Sequence, residues 1–182
     1  MVSLVRYVAL LRGINVGGKT LIKMNELKAC IEELGFDDVS TYIASGNVLF
    51  EAGEGNAAKL EAKIERAIEE RFQLPVKVVV LDARAYARIA NAIPQEWVGD
   101  VSLRANVAFV RRGTDAQQVA RELQPDAAIE EVKAIDGAIL WATKRDALNR
   151  SVMRKLIGGP GYKELTVRNL KTTLRLQELL AR

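Results

Sequence analysis

An α+β fold of two ferredoxin-like βαββαβ units with antiparallel sheets, plus a C-terminal helix, is what this 182-residue sequence predicts. Three observations carry the prediction. Ser45-Gly46-Asn47 and Asp136-Gly137 each divide two short β-rich runs, as tight hairpins do. Each hairpin lies between two stretches whose apolar residues recur at helical spacing. A further β-rich run opens and closes each half, so the order strand, helix, strand, strand, helix, strand occurs twice. That order implies an antiparallel sheet with both helices on one face.

Residues 5–11 read as a buried strand. Met24, Leu27, Ile31 and Leu34 then repeat with helical period, and Gly35 is placed to end that helix. Residues 39–44 and 48–50 are the two arms of the first hairpin. Leu60, Ile64, Ala67 and Ile68 mark a second helix, closed before Pro75, and residues 76–81 form the next strand. Residues 1–82 are thus the N-terminal unit. Residues 83–103 read as a connector, a short helix carrying Tyr86, Ile89 and Ile93 followed by a loop. The C-terminal unit, 104–182, begins with a strand at 105–110. Thr114 or Asp115 caps a helix that turns Val119 and Leu123 inward. Residues 129–135 and 138–143 flank Asp136-Gly137. Leu148, Val152 and Leu156 predict one more helix, and residues 165–167 a short closing strand. The terminal helix places Leu170, Leu174, Leu176, Leu179 and Leu180 on a broad apolar side, with Lys171 and Arg175 opposite.

Composition narrows the chemistry. Apolar residues are 49% and charged residues 27% of the chain, the ordinary profile of a globular protein. No apolar run reaches the roughly 20 residues of a membrane helix. The first residues lack the features of a signal peptide, and the single cysteine, Cys30, has no partner for an internal disulfide. A cytoplasmic protein without a membrane partner is expected. There is no histidine, which removes His-based triads, histidine metal ligands and the usual neutral-pH proton shuttle. The sequence signals no cofactor and no metal site. No sequence pattern specifies an oligomeric state.

Charge is unevenly spread. Residues 1–30 hold five Lys/Arg against one acid, residues 31–142 hold twelve against nineteen, and residues 143–182 hold ten against three. Two basic ends on an acidic body form an anion-attracting face if they meet, and otherwise solvate exposed helices.

The stretch Gly13-Ile14-Asn15-Val16-Gly17-Gly18-Lys19-Thr20 satisfies the pattern of a nucleotide triphosphate loop, and Val78-Val79-Val80-Leu81-Asp82 imitates the strand whose aspartate holds magnesium. In such a loop the helix starts at the lysine, and the neighbouring strands are parallel. Here Asn25 and the apolar spacing behind it favour a later helix start, and a tight hairpin follows. The NTPase reading is therefore the alternative, not the expectation.

Three stretches together resemble a bacterial family known as domain of unknown function 1697. They are Arg12-Gly13-Ile14-Asn15-Val16-Gly17-Gly18-Lys19 with Ile22-Lys23-Met24, then Thr41-Tyr42-Ile43-Ala44-Ser45-Gly46-Asn47-Val48-Leu49-Phe50, and Thr166-Val167-Arg168-Asn169 with Thr172. The resemblance spans the whole chain and implies an α+β protein with ferredoxin-like elements. It also implies that position 20 is commonly Asn, so Thr20 completes the NTPase pattern by accident. The family's usual Gln is Ala44 here, so any ligand contact by that side chain is lost.

Each motif admits a purely structural role: a left-handed turn, a hairpin, a helix cap. Together they also define a candidate phosphate site. Arg12, Lys19 and Lys23 bracket the loop glycines Gly13, Gly17 and Gly18. Asn15, Ser45 and Asn47 supply neutral hydrogen-bonding groups. Arg168, Asn169 and Thr172 stand at a helix start, where free N–H groups favour an anion. The expected ligand is a phosphate-bearing small molecule or a nucleic acid, the latter disfavoured by an aromatic content of 5%. A histidine-independent transferase on a phosphorylated small molecule is the further alternative, with Glu26 and Glu51 as the nearest carboxylates and no evident nucleophile. Cys30, Trp97 and Trp141 read as packing residues.

Overall fold

The structure is a computed structural model that describes residues 4–18, 20–53, 55–158 and 160–182. The chain divides into two compact units, residues 1–87 with 176–182, and residues 88–175. Set against the expected boundaries of 1–82, 83–103 and 104–182, the connector helix is shared and the last turns of the terminal helix group with the first unit.

In the first unit β1 (Leu4–Leu11) leads to α1 (Met24–Glu32), β2 (Asp37–Tyr42), β3 (Asn47–Gly53), α2 (Ala57–Phe72) and β4 (Val78–Asp82). The sheet order is β2-β3-β1-β4 and every pairing is antiparallel. Tyr7, Ala9 and Leu11 pack with Val48, Phe50, Val78 and Val80 beneath Leu27, Ile31, Ile64 and Ile68 of the helices. The alternate residues Val8, Leu10, Leu49 and Val79 are buried as well. Burial on both faces is why this strand reads as a continuous apolar run instead of an alternating one.

The outer edge of β4 is closed by its own helix. Val78 N–H donates to Glu65 Oε1 at 2.9 Å, and Val80 N–H to Glu61 Oε1 at 3.0 Å. Two carboxylates on α2 thus satisfy edge-strand donors that would otherwise invite another strand. Asn56 caps α2 by accepting from Ala58 N–H, and Gln73 ends it in the left-handed region.

The second unit repeats the plan. β5 (Leu103–Val110), α4 (Ala116–Leu123), β6 (Glu130–Ile135), β7 (Ala138–Lys144), α5 (Met153–Gly158) and β8 (Leu165–Asn169) give the order β6-β7-β5-β8. Asp115 is the cap of α4, accepting from Gln117 and Gln118 N–H. Corresponding bonds tie the two plans together residue by residue. Leu11 N–H donates to the Gly46 carbonyl at 2.8 Å, and Val110 N–H to that of Gly137 at 2.9 Å. Arg12 N–H donates to Lys77 O, and Arg111 N–H to Glu164 O, both at 2.9 Å.

One sequence expectation is corrected. The helix expected through Leu148, Val152 and Leu156 is broken: a 3-10 segment, Arg145–Arg150, stops at an extended Ser151 before α5 begins. Ser151 Oγ accepts from Met153 N–H at 3.2 Å and donates to Glu130 Oε2 at 2.6 Å, so it caps α5 and cannot continue a helix. The connector and terminal helices, α3 (Ala83–Asn91) and α6 (Leu170–Leu180), are equivalents of each other, each following the last strand of its sheet. Asp82 Oδ1 accepts from Ala85 N–H at 2.7 Å, and Asn169 Oδ1 from Thr172 N–H at 2.8 Å. The repeated unit is therefore βαββαβα. Among the described residues no helix is long and apolar enough to cross a membrane.

Candidate functional site

The glycine loop after β1 is built around one side chain. Asn15, itself at φ 54°, donates through Nδ2 to the carbonyls of Ile22 (2.9 Å) and Ala44 (2.8 Å), while its Oδ1 accepts from Ile22 N–H at 2.9 Å. It thereby clips the loop's end to the β2–β3 hairpin. Gly13, Gly17 and Gly18 all have positive φ, as does Thr20 at 53°. The helix behind the loop starts at Met24, with Lys23 in the capping position and its ammonium 3.3 Å from Glu26. Lys19 lies outside the described residues.

The hairpin is locked to this loop. Asn47 is fully buried, and its Nδ2 donates to Tyr42 O at 2.9 Å and Ser45 Oγ at 3.0 Å. Gly46 has φ +81°, and a Cβ there would lie 2.8 Å from both Leu11 Cβ and Ile14 Cδ1. The first two motifs therefore meet because each forms the other's wall. Of their neutral polar groups, Asn15 bonds across that contact, and Asn47 and Ser45 bond to each other within the hairpin.

This geometry corrects the NTPase alternative. The loop does not open a helix at position 19, and β1 is antiparallel to both its neighbours. Asp82, the would-be magnesium ligand, ends an edge strand and caps α3. The other sequence candidates are committed too. Glu51 pairs with Arg6 at 3.1 Å and Glu26 with Lys23. Cys30 is buried, and burial pushes its thiol pKa up, against the opposing pull of Arg71. Trp141 lies in the second core, and Trp97 is buried with its indole N–H 3.3 Å from Glu131.

The third motif belongs to the second unit. Arg168 is buried in β8, opposite Val107, and donates to the Val167 carbonyl at 2.9 Å. Thr172 is buried, with its N–H taken by Asn169. Asn169 itself is exposed and lines a cavity of about 550 Å³ together with Arg104, Arg145 and Lys171. Trp97, Leu170 and Leu174 supply its apolar wall, and the start of α6 forms one side. Arg145 is held in place by Nε–H donation to Val101 O at 2.9 Å. Asp100 is the single acid in the lining. Ser102 donates to it from its hydroxyl at 2.6 Å and its N–H at 2.8 Å, and both bonds hold its pKa below the ordinary aspartate value.

A second cavity of about 230 Å³ shares Arg104 with the first. It is lined by Asn106, Trp141, Thr143, Ser151, Met153 and Tyr162 among others. Behind it Glu130, buried, accepts from Ser151 Oγ, from Thr143 Oγ at 3.2 Å and from Val152 N–H at 2.9 Å. This carboxylate is fully used in fixing β6, β7 and the start of α5.

Sequence reasoning missed Arg104, Asn106 and Arg145, and treated Lys171 only as the polar side of a helix. Asn106 did carry a signal, being a polar residue inside the apolar run of β5. Arg104 and Arg145 carried none, because a charge at a strand end usually just meets water. Among the described residues no group of three or more potential ligands is placed to hold a metal ion.

Comparison with known proteins agrees with the fold. A conserved bacterial protein from Streptococcus pneumoniae, SP0830, has a solved structure that matches with a TM-score of 0.85 and 28% identity, covering 98% of this chain and 99% of that one. A crystal structure of the protein BT0572 from Bacteroides thetaiotaomicron covers 93% of this chain and 95% of that one at 7% identity, but with a TM-score of 0.23. No curated protein matches. The model of the family described as "Protein of unknown function (DUF1697)" matches residues 4–141, and the chain belongs to that family.

Proposed function

We propose that this protein binds a small phosphate-bearing ligand in the larger cavity of its second unit. The observation that carries the reading is convergence of charge: Arg104, Arg145 and Lys171 face one concave space at the start of α6. Among the described residues neither the Arg104 nor the Lys171 side chain has a hydrogen-bond or ion-pair partner. Partial positive charge at a helix start adds to these cations. Asn169 takes part by capping α6 with a neutral group and leaving the site's net charge positive. A volume of about 550 Å³ suits a nucleotide or phosphorylated metabolite.

In this reading the glycine loop, with Arg12, Gly13, Gly17, Gly18 and Lys23, and the hairpin at Ser45–Asn47 serve the architecture of the first unit. Arg168 and Thr172 support the α6 start from within. The protein works in the cytoplasm, as its single cysteine suggests. Titration calorimetry at low salt with inorganic phosphate and pyrophosphate tests the proposal. Binding that weakens at least about tenfold in Arg104→Glu or Lys171→Glu, and falls with added salt, is expected. Affinity unchanged by both reversals, or no binding at all, would overturn it.

A further inference from the structure

We infer that the ligand is a nucleoside monophosphate, with its phosphate in the larger cavity and its base in the smaller one, read by Asn106. This rests on the phosphate reading above and names the rest of the molecule. Asn106 is 9% exposed, yet among the described residues nothing hydrogen-bonds its side-chain amide. The amide is not sealed in the core, since the one sealed side-chain atom without a partner among the described residues is Arg6 Nε, so it is open to a ligand from the cavity side. At the corresponding place in the first unit, four residues before the end of the first strand, stands Tyr7. Its hydroxyl oxygen accepts from Gly55 N–H at 3.2 Å. The polar group is therefore satisfied by the fold in one unit and left open in the other.

The open group lines a cavity. A carboxamide presents a donor and an acceptor side by side, which matches the adjacent donor and acceptor on the edge of a nucleobase. Trp141, Met153 and Tyr162 give that cavity the apolar and aromatic surface a flat ring requires. Arg104 connects the two spaces, since it lines both. One molecule with a phosphate on one side of the guanidinium and a base on the other would use every unpartnered polar group identified here.

The test compares inorganic phosphate, ribose 5-phosphate, and the monophosphates of adenosine, guanosine, cytidine and uridine by calorimetry. It uses the full chain and its Asn106→Leu and Met153→Trp variants, with circular dichroism reporting folding. At least one mononucleotide is expected to bind about tenfold more tightly than ribose 5-phosphate. Asn106→Leu should erase that advantage while leaving the affinity for ribose 5-phosphate unchanged. Met153→Trp, which fills the smaller cavity without touching Asn106, should do the same, so a misfolded Leu variant does not end the test. Ribose 5-phosphate binding with no mononucleotide advantage, or an advantage that survives in the folded variants, overturns this inference alone. Absence of binding by every phosphate compound overturns the phosphate reading and this inference together.

Discussion

Asn169 stands in the second unit where Asp82 stands in the first. Each ends the last strand of its sheet, and each accepts from the backbone N–H three residues further on, Thr172 in one case and Ala85 in the other. The cap is the same and the charge is not. A carboxylate at Asp82 occupies the positive end of its helix, whereas the neutral amide of Asn169 leaves that end able to attract an outside anion. Two substitutions separate these roles. Asn169→Asp keeps the cap, so its urea midpoint should stay close to the parent's while phosphate affinity falls at least about tenfold. Asn169→Ala loses the cap and should cost about 1 kcal/mol of stability.

How far the sequence reaches can be argued from the same residues. The hairpin glycines located the pairings of β2 with β3 and of β6 with β7, and the apolar spacing located the helices beside them, because both signals are local. The break at Ser151 was hidden because Leu148, Val152 and Leu156 keep a four-residue spacing across it. The cap that Ser151 gives Met153 N–H, held in place by the bond to Glu130 twenty-one positions away, shows that Ser151 starts a helix. The equivalence of α3 and α6 was equally hidden, since their sequences differ and only the cap geometry repeats. In the site, motif reading drew attention to the loop at 12–23. Asn15 turned out to be occupied by backbone groups at Ile22 and Ala44. The open groups, Arg104 and Asn106, lie where no short pattern marks them.

Gly46 should be the least replaceable glycine of the loop–hairpin contact. Alanine there meets both a positive φ and atoms of Leu11 and Ile14 within 2.9 Å, and a loss of about 2–4 kcal/mol is expected. At Gly13, Gly17 and Gly18 an added Cβ meets nothing within 4 Å. Alanine at each should cost only the left-handed backbone penalty, about 1–2 kcal/mol. Chemical denaturation of the four variants checks the ranking, and equal losses at all four would contradict it.

Asp100 links the larger cavity to pH. Its folded pKa is lowered by the Ser102 hydroxyl first and the Ser102 N–H second. A lowered folded value means the stabilising contribution is complete above the unfolded pKa, about 4, and is lost as pH falls through the folded value. Ser102→Ala removes the larger cause. NMR titration of the Asp100 carboxyl should therefore show its pKa moving up, and the variant should lose part of the parent's stability gain on going from acid to neutral pH. An unmoved Asp100 titration would refute the assignment.

Glu130 is the residue whose loss should cost the second unit most among its buried polar groups. Its two oxygens serve Ser151 Oγ at 2.6 Å, Thr143 Oγ at 3.2 Å and Val152 N–H at 2.9 Å. Glu130→Ala strands these donors beside a new cavity, and a loss of about 3–5 kcal/mol is expected. Ser151→Ala removes one donor to the carboxylate and the acceptor for Met153 N–H, for about 1–2 kcal/mol. Because the two residues share a bond, their effects should not add. The double variant should fall short of the sum by about 1 kcal/mol or more in urea unfolding. Full additivity would mean that Ser151 and Glu130 support α5 independently, contrary to the 2.6 Å bond that joins them.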